Sequence, residues 1–464
     1  SENTATNFGG AIYNYGDITF GANSIATFTN NSANYGGAVE NDGTITFNNS
    51  FLFSENTANK GADIHNMRTI EIAGGEGTVG SLDGGIYQYL GTINKTGAGT
   101  LILGDNMVNG YDSSNTQFTQ SAGLTIAKTD KLTFAETNTI SGGELRVHGD
   151  SLNPLSANIS NAKLTYLTTS TAEQEAVMPT GITLNNVELV LGAYTSAQKQ
   201  AELDLVADKV VPVLDAEGNV VYNQDGSIKY VAYDAAGKLL TSNTIDRANY
   251  ALNGDIAGAS KVTFKDSILK LVENSYQTAY DIDSSNILNI SNGSSIQETT
   301  LNFSNLSGAG ALLNLGVNFA TNAEGAVELS ADKLILISDK GYVFGGAILD
   351  ISGQNALDEH LANLIVDQNG TLSTPVKYQT EVLGGNATFK DRQESYLTTN
   401  APYVYQIATS GQTLSVEANQ LKGTALEYLT GYAGDSTLQM KEETSGAGAS
   451  YLVGMNEALG TLTS

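Results

Sequence analysis

"NFGGAIYNYGDITF" (residues 7–20) returns as "NYGGAVENDGTITF" (34–47) and, more loosely, as "NKGADIHNMRTIEI" (59–72). Aligning the copies separates fixed columns from free ones. Ile12, Val39 and Ile64 form one apolar column, and Asn14, Asn41 and Asn66 stand two places later. Ile18, Ile45 and Ile70 follow, then Phe20, Phe47 and Ile72, with Thr19, Thr46 and Glu71 between. That alternation is the period-2 signature of a strand with one buried face. Tyr13, Glu40 and His65 fill a drifting column beside the first apolar one, which is therefore expected to face water.

The asparagine column recurs at intervals of 27 and 25 residues. This leaves room for a third short strand per copy, supplied by "IATF" (25–28) and "FLF" (51–53). Three short strands joined by turns and repeated at this interval describe one coil of a parallel β-helix. Coils stack about 4.8 Å apart, so like columns meet their own kind. Glycine pairs such as Gly9-Gly10 and Gly36-Gly37 allow the sharp corners. Stacked asparagines satisfy one another's amides where water is excluded; each such bond is worth roughly 1 kcal/mol net, and an orphaned partner costs roughly 1 to 3. A flexible Gly/Asn-rich loop is the competing reading, and two apolar columns held in register argue against it.

Composition limits function. The chain has 464 residues, 49 acidic against 22 basic, a formal charge of −27, 50 glycines, and neither cysteine nor tryptophan. A field this negative repels phosphate backbones and anionic lipid, so nucleic acid is excluded as a partner. Without cysteine there are no disulfides and no thiolate chemistry. No apolar run is long enough to span a membrane, and no export signal opens the chain. Because it begins mid-repeat at Ser1, any such signal is expected upstream.

"GGAIYN" and "GGAVEN", with F-x-x-N in "FTNN" (28–31) and "FSEN" (53–56), resemble the paired motifs of the polymorphic outer-membrane protein family over about the first 75 residues. The third copy, "GADIHN", departs by placing Asp63 where alanine stood. "TINKTGAGTLILGDN" (92–106) resembles the passenger-associated transport repeat of autotransporters, with Lys95, Gly97, Gly99, Thr100, Leu101, Leu103, Gly104 and Asn106 at the positions that repeat expects. "SAGLTI" (121–126) and "SGGELRV" (141–147) repeat its rung, and "SGAGALLNLG" (307–316) is a looser echo. The resemblance implies a right-handed parallel β-helix passenger, exported and displayed on a Gram-negative surface, often as an adhesin. Such proteins end in a membrane β-barrel, and the last residues, "NEALGTLTS", contain no such strand run. Membrane attachment would then run only through a barrel that this chain lacks.

Beyond residue 150 the rungs spread out: "KLTYL" (163–167), "VELVL" (187–191), "KVTF" (261–264), "ILNI" (287–290), "TTLNF" (299–303), "KLILIS" (333–338) and "AILDIS" (347–352). At 193–247 "SAQKQAELDLVADK" (196–209) reads as a short helix, and residues 213–240 alternate strand letters with turns. Two readings stand here: an inserted β-meander projecting from the stack, or ordinary rungs with longer turns. "NALDEHLANLI" (355–365) suggests a brief helix, "APYVYQIATSGQTLSVEA" (401–418) returns to strands, and an irregular cap is expected to close the solenoid.

Catalytic motifs are missing. His65, His148 and His360 have no second histidine at ligand spacing, and there is no zinc motif, nucleophile elbow or phosphate loop. "GGEGTVGSLDGG" (74–85) resembles a calcium nonapeptide but puts Val79 where the aspartate ligand belongs. No cofactor or metal is expected. A polysaccharide lyase or hydrolase is the enzymatic alternative, with Glu40, Asp42, Asp63 and Glu71 converging from neighbouring coils. Against it, the first 90 residues offer only Lys60 and Arg68 to hold an acidic sugar.

The expected architecture is all-β, a right-handed parallel β-helix. Coils with the Gly-Gly-Ala repeat occupy 1–90, coils opening with the passenger repeat 91–192, an inserted helix and β-meander 193–247, and further coils with a C-terminal cap 248–464. At about 22 residues per coil the shaft would be on the order of 100 Å long. The expected function is an extracellular, cell-surface adhesin or structural stalk. Its partners would be host or sister-cell surface glycans or proteins, and self-association into clumps is the second alternative.

Overall fold

The computed structural model describes residues 1–104, 110–111, 115–128, 135–149, 157–176, 181–206, 209–212, 230–233, 239–240, 244–292, 295–352, 376–397, 403–420, 439–445 and 448–454. Most of the described strands pair in parallel, in sheets whose neighbours come from successive repeats.

The first sheet contains Ile12–Asn14, Val39–Asn41, Ile64–Asn66, Ile86–Gln88 and Gly110–Tyr111 in that order. Its register aligns Ile12 with Val39, Tyr13 with Glu40 and Asn14 with Asn41, and continues Val39 to Ile64 to Ile86. The second sheet stacks eight strands from Asp17–Phe20 to Ile182–Asn185. The third runs through thirteen, from Ala26–Thr29 to Leu383–Gly385. Each early coil thus contributes one short strand to each of three stacks, a β-solenoid-type arrangement. Inside, aromatic rings pile up in register: Phe20 on Phe47 at 5.1 Å and Phe28 on Phe53 at 4.5 Å.

The glycine pairs sit where the backbones crowd. Gly36 has φ +60, and a Cβ there would strike its own turn at the Val39 carbonyl; a Cβ on Gly37 would strike the Ala62 carbonyl of the next coil. Ala62 replaces glycine in the third copy, where the following coil presents Gly84 instead.

A fourth sheet of seven strands begins at Glu173–Glu175, continues through Ala248–Leu252 and includes Leu312–Thr321. Strands lengthen from three or four residues in the first coils to ten in Glu298–Ser307 and Leu312–Thr321. Strand Val187–Ala193 pairs directly with Ala259–Lys265, so the chain leaves the third sheet and returns to the adjacent position. Between them lie the helix Ser196–Val206 and an antiparallel trio, Lys209–Pro212, Tyr230–Tyr233 and Leu239–Leu240. Towards the C-terminus parallel stacking gives way to antiparallel pairing: Val376–Glu381, Ala387–Leu397, Tyr403–Gly411 and Thr413–Gln420 form a sheet with Tyr342–Phe344, which itself pairs in parallel with Ala387–Leu397. The segment 355–365 and His360 lie outside the described residues.

Candidate functional site: the outer face of the first sheet

Two buried rows of side chains fix the early coils in register. Asn14 Nδ2 donates to Asn41 Oδ1 at 2.8 Å, Asn41 to Asn66 Oδ1 at 2.8 Å, and Asn66 to Gln88 Oε1 at 3.1 Å. The same amides donate to the carbonyls of Thr44, Thr69 and Thr92, while each Oδ1 accepts the backbone N–H two residues on, from Gly16, Gly43 and Arg68. A buried amide group with most of its capacity filled stabilises only this stacking distance.

The second row comes from the F-x-x-N motifs. Asn3 Nδ2 donates to Asn31 Oδ1 at 2.9 Å, Asn31 to Asn56 Oδ1 at 2.9 Å, and Asn56 to Asp63 Oδ1 at 3.0 Å. Asp63 ends the row, its Oδ2 accepting the N–H groups of Gly84 at 2.7 Å and Gly85 at 3.1 Å. Burial pushes its carboxyl up to about 6 even though these donors pull the other way. The departure from Gly-Gly-Ala in the third copy is therefore the joint between this repeat and the next kind of coil.

These rows turn the drifting column outward, but its members are not all in water. Tyr13 is 40 % exposed, whereas Glu40 is 1 % and His65 5 % exposed, which corrects the expectation that all three face solvent. The cause is mutual: His65 Nδ1 lies 2.8 and 3.0 Å from the two oxygens of Glu40, and the rings of Tyr35 and Tyr87 stand 5.3 and 5.8 Å from the imidazole. Glu and His at the same position of adjacent copies were the available sequence signal, because the register makes them cross-strand neighbours.

The rings continue along the face. Phe8 contacts Tyr13 at 5.4 Å and Tyr35 at 5.5 Å, Tyr13 contacts Tyr15 at 4.4 Å, and Lys60 Nζ sits 4.5 Å above Tyr87. The Tyr13 and Tyr15 hydroxyls bond each other, which raises the Tyr13 pKa, with burial and Asp42 adding to the rise. Tyr15 is 72 % exposed and Phe8 41 %.

The four carboxylates of the enzymatic alternative do not converge. Glu40 is taken up by His65, Asp63 is sealed in the corner, and Glu71 belongs to the second sheet, where it accepts from Asn94 Nδ2 at 2.7 Å. Among the described residues no three His, Cys, Asp or Glu are grouped to hold a metal, and Val79 opens strand Val79–Leu82.

The passenger-like segment is a corner built around an amine. Lys95 is buried, and its Nζ donates to the carbonyls of Gly97 and, at 3.2 Å, Ala122 in the next coil. Burial pulls it down to about 8. A Cβ on Gly97 would strike the Gly74 carbonyl, and one on Gly99 would strike Thr78 Oγ1. Thr100 begins the strand that buries Leu101 and Leu103, and the Gly104 N–H donates to Leu82 O at 2.8 Å. Asn106 lies outside the described residues.

A second polar cluster escaped sequence reasoning. His148 Nε2 lies 2.9 Å from Glu202 Oε1 on the helix, Tyr194 Oη donates to Glu202 Oε2 at 3.1 Å, and Arg146 reaches both Glu144 and Glu202. It pins the helix Ser196–Val206 against the stack.

Residues 1–15 match the Chlamydia polymorphic membrane protein repeat. No curated protein matches the chain. The matched stretch carries Gly9, Gly10, Asn14 and the exposed rings of Phe8, Tyr13 and Tyr15. With the repetitive, almost entirely β architecture, the match is consistent with a secreted or surface repeat protein. Among the described residues no helix is long and apolar enough to cross a membrane.

Proposed function

We propose that this chain is part of a right-handed parallel β-helix, exported as an autotransporter-like passenger, that serves as an adhesin or stalk at the surface of a Gram-negative cell. The observation that carries this reading is the band of rings in mutual contact on the outer face of the first sheet, carried by a chain of net charge −27. Rigid coils hold such a band at fixed spacing, and a contact surface gains affinity when its aromatic anchors lose little freedom on binding.

Latex beads coated with the purified chain test the reading. Saturable attachment to host or sister cells, absent from albumin-coated beads, is expected. Attachment no greater than the albumin control would overturn adhesion and leave only the stalk. Small-angle scattering checks the architecture, which requires an elongated particle.

A further inference from the structure

We propose that the outer face of the first sheet binds a neutral glycan chain, laid along the stacking axis across the rings of Tyr15, Tyr13, Phe8, Tyr35 and Tyr87. The proposal rests on the adhesin reading and names the chemistry of its ligand.

The face has three columns. Phe8, Tyr35 and Lys60 align through isolated bridges, Tyr13, Glu40, His65 and Tyr87 through the strand register, and Tyr15 and Asp42 flank them one place beyond the asparagine row. Rings therefore recur at nearly every coil, about 4.8 Å apart along the axis. A polymer of similar rigid units meets such a row with one unit after another.

What lies among the rings decides between ligands. A dry apolar helix would have to cover Asp42 and the four phenolic hydroxyls of Tyr13, Tyr15, Tyr35 and Tyr87, and each of these left without water or a partner costs roughly 1 to 3 kcal/mol. Asp42 Oδ1 is shielded from water, and the Asp42 carboxylate lies close enough to the Tyr13 hydroxyl to raise its pKa. A sugar presents apolar C–H faces to rings and hydroxyls to phenol oxygens at once, so it satisfies both halves of this surface.

Charge narrows the class. Asp42 lies in the face, Glu40 is buried beneath it against His65, Lys60 is the one lysine or arginine in its three columns and is engaged over Tyr87, and the chain carries −27 overall. Sulfated, uronate or sialylated chains would approach against that field, whereas a neutral hexose polymer is indifferent to it.

The experiment is calorimetric titration of the whole chain with neutral β-linked gluco- and galacto-hexasaccharides, and with a heparin hexasaccharide. Saturable binding of a neutral sugar is expected, with little salt dependence. The double variant Tyr13→Ala, Tyr15→Ala should weaken it about tenfold, as should Tyr87→Ala, because anchoring rings dominate such contacts. Tyr35→Phe, which keeps the ring, should stay within about twofold, and Val343→Ala, on strand Tyr342–Phe344 far along the chain, should change nothing. Circular dichroism and melting confirm that the variants fold.

Three results would overturn the proposal: no neutral sugar binds the folded chain, heparin binds more tightly than every neutral sugar, or the tyrosine variants bind as well as the parent. If coated beads attach and the tyrosine variants abolish attachment while no sugar binds or competes, the partner is a protein and adhesion stands without the glycan. If sugars bind but beads do not attach, the glycan site stands and adhesion falls.

Discussion

The early coils and the stack from about residue 248 to 352 solve one problem with different chemistry. Both must hold successive turns of chain at a fixed separation. In the first, short strands of three or four residues provide few ladder bonds, and the coils are tied by amide rows in which one side chain matches one side chain above it. In the second, long strands provide most of the ladder, and buried tyrosines tie turn to turn through backbone carbonyls: Tyr250 to Gly192 at 3.1 Å, Tyr276 to Leu252 at 3.2 Å and Tyr342 to Ile282 at 2.5 Å. An amide row demands the same residue at the same place in every coil. A phenol hydroxyl donates to any carbonyl within reach, so nothing forces repetition.

If this contrast is right, damage to the early coils should be severe and position-specific. Gly37→Val places a side chain on the Ala62 and Thr57 carbonyls and should cost about 4 kcal/mol or more. Gly325→Ala, at φ +82 but in open space, should cost only about 1 kcal/mol; chemical denaturation of both variants makes the comparison. Next comes Asn41→Leu, which fills the same volume but strands the Thr69 carbonyl and the amides of Asn14 and Gly43. A loss of about 3 kcal/mol is expected from denaturation midpoints, and a loss below 1 would mean that the rows do not carry the early coils.

The acid response should also separate the regions. Burial pushes the Asp63 carboxyl up to about 6, above the usual 3.8 of an aspartate in water, so the folded state binds its proton more readily. The associated stability is complete below pH 3.8 and is lost as pH rises through 6. Moving from pH 7 to pH 5 should therefore stabilise the early coils by about 1 to 2 kcal/mol, and Asp63→Asn should abolish that gain in hydrogen exchange of residues 56–85. Lys95 works in the opposite sense: with a folded pKa of about 8 against 10.5, its contribution is present above pH 10.5 and lost as pH falls through 8.

In the later stack, Tyr250→Phe removes one hydroxyl bond and should cost about 1 kcal/mol in melting experiments. The smallest effect belongs to its surface. Lys261→Ala breaks a partly exposed pair with Asp281 at 2.7 Å and should change stability by less than about 0.5 kcal/mol.

The same contrast explains what was legible. Asn14, Asn41, Asn66 and the glycine pairs could be read because stacking writes them into successive copies; so could the period-2 strands around them. Tyr250, Tyr276 and Tyr342 could not, because their partners are carbonyls 58, 24 and 60 residues away and leave no mark in the sequence. At the candidate site the rings were visible as letters but not as a band. Phe8 and Tyr35 precede the glycine pair, Tyr13 and Tyr15 follow it, and only the folded corner brings them together. Glu40 and His65 were assigned to solvent because alternation reports which side of a strand a residue occupies, and it is silent about what a neighbouring loop lays over that side.

The side-chain bonds that join one coil to the next share one orientation in both amide rows: Asn3 to Asn31, Asn31 to Asn56, Asn14 to Asn41, Asn41 to Asn66 and Asn66 to Gln88 each run from a donor in the earlier coil to an acceptor in the later one. The stack is therefore a vector, with a giving end and a receiving end. Two such rods meeting with like ends would set amide against amide or oxygen against oxygen, while head-to-tail contact would prolong the pattern. Growth by addition of coils has a sense of direction written into side chains that carry no net charge.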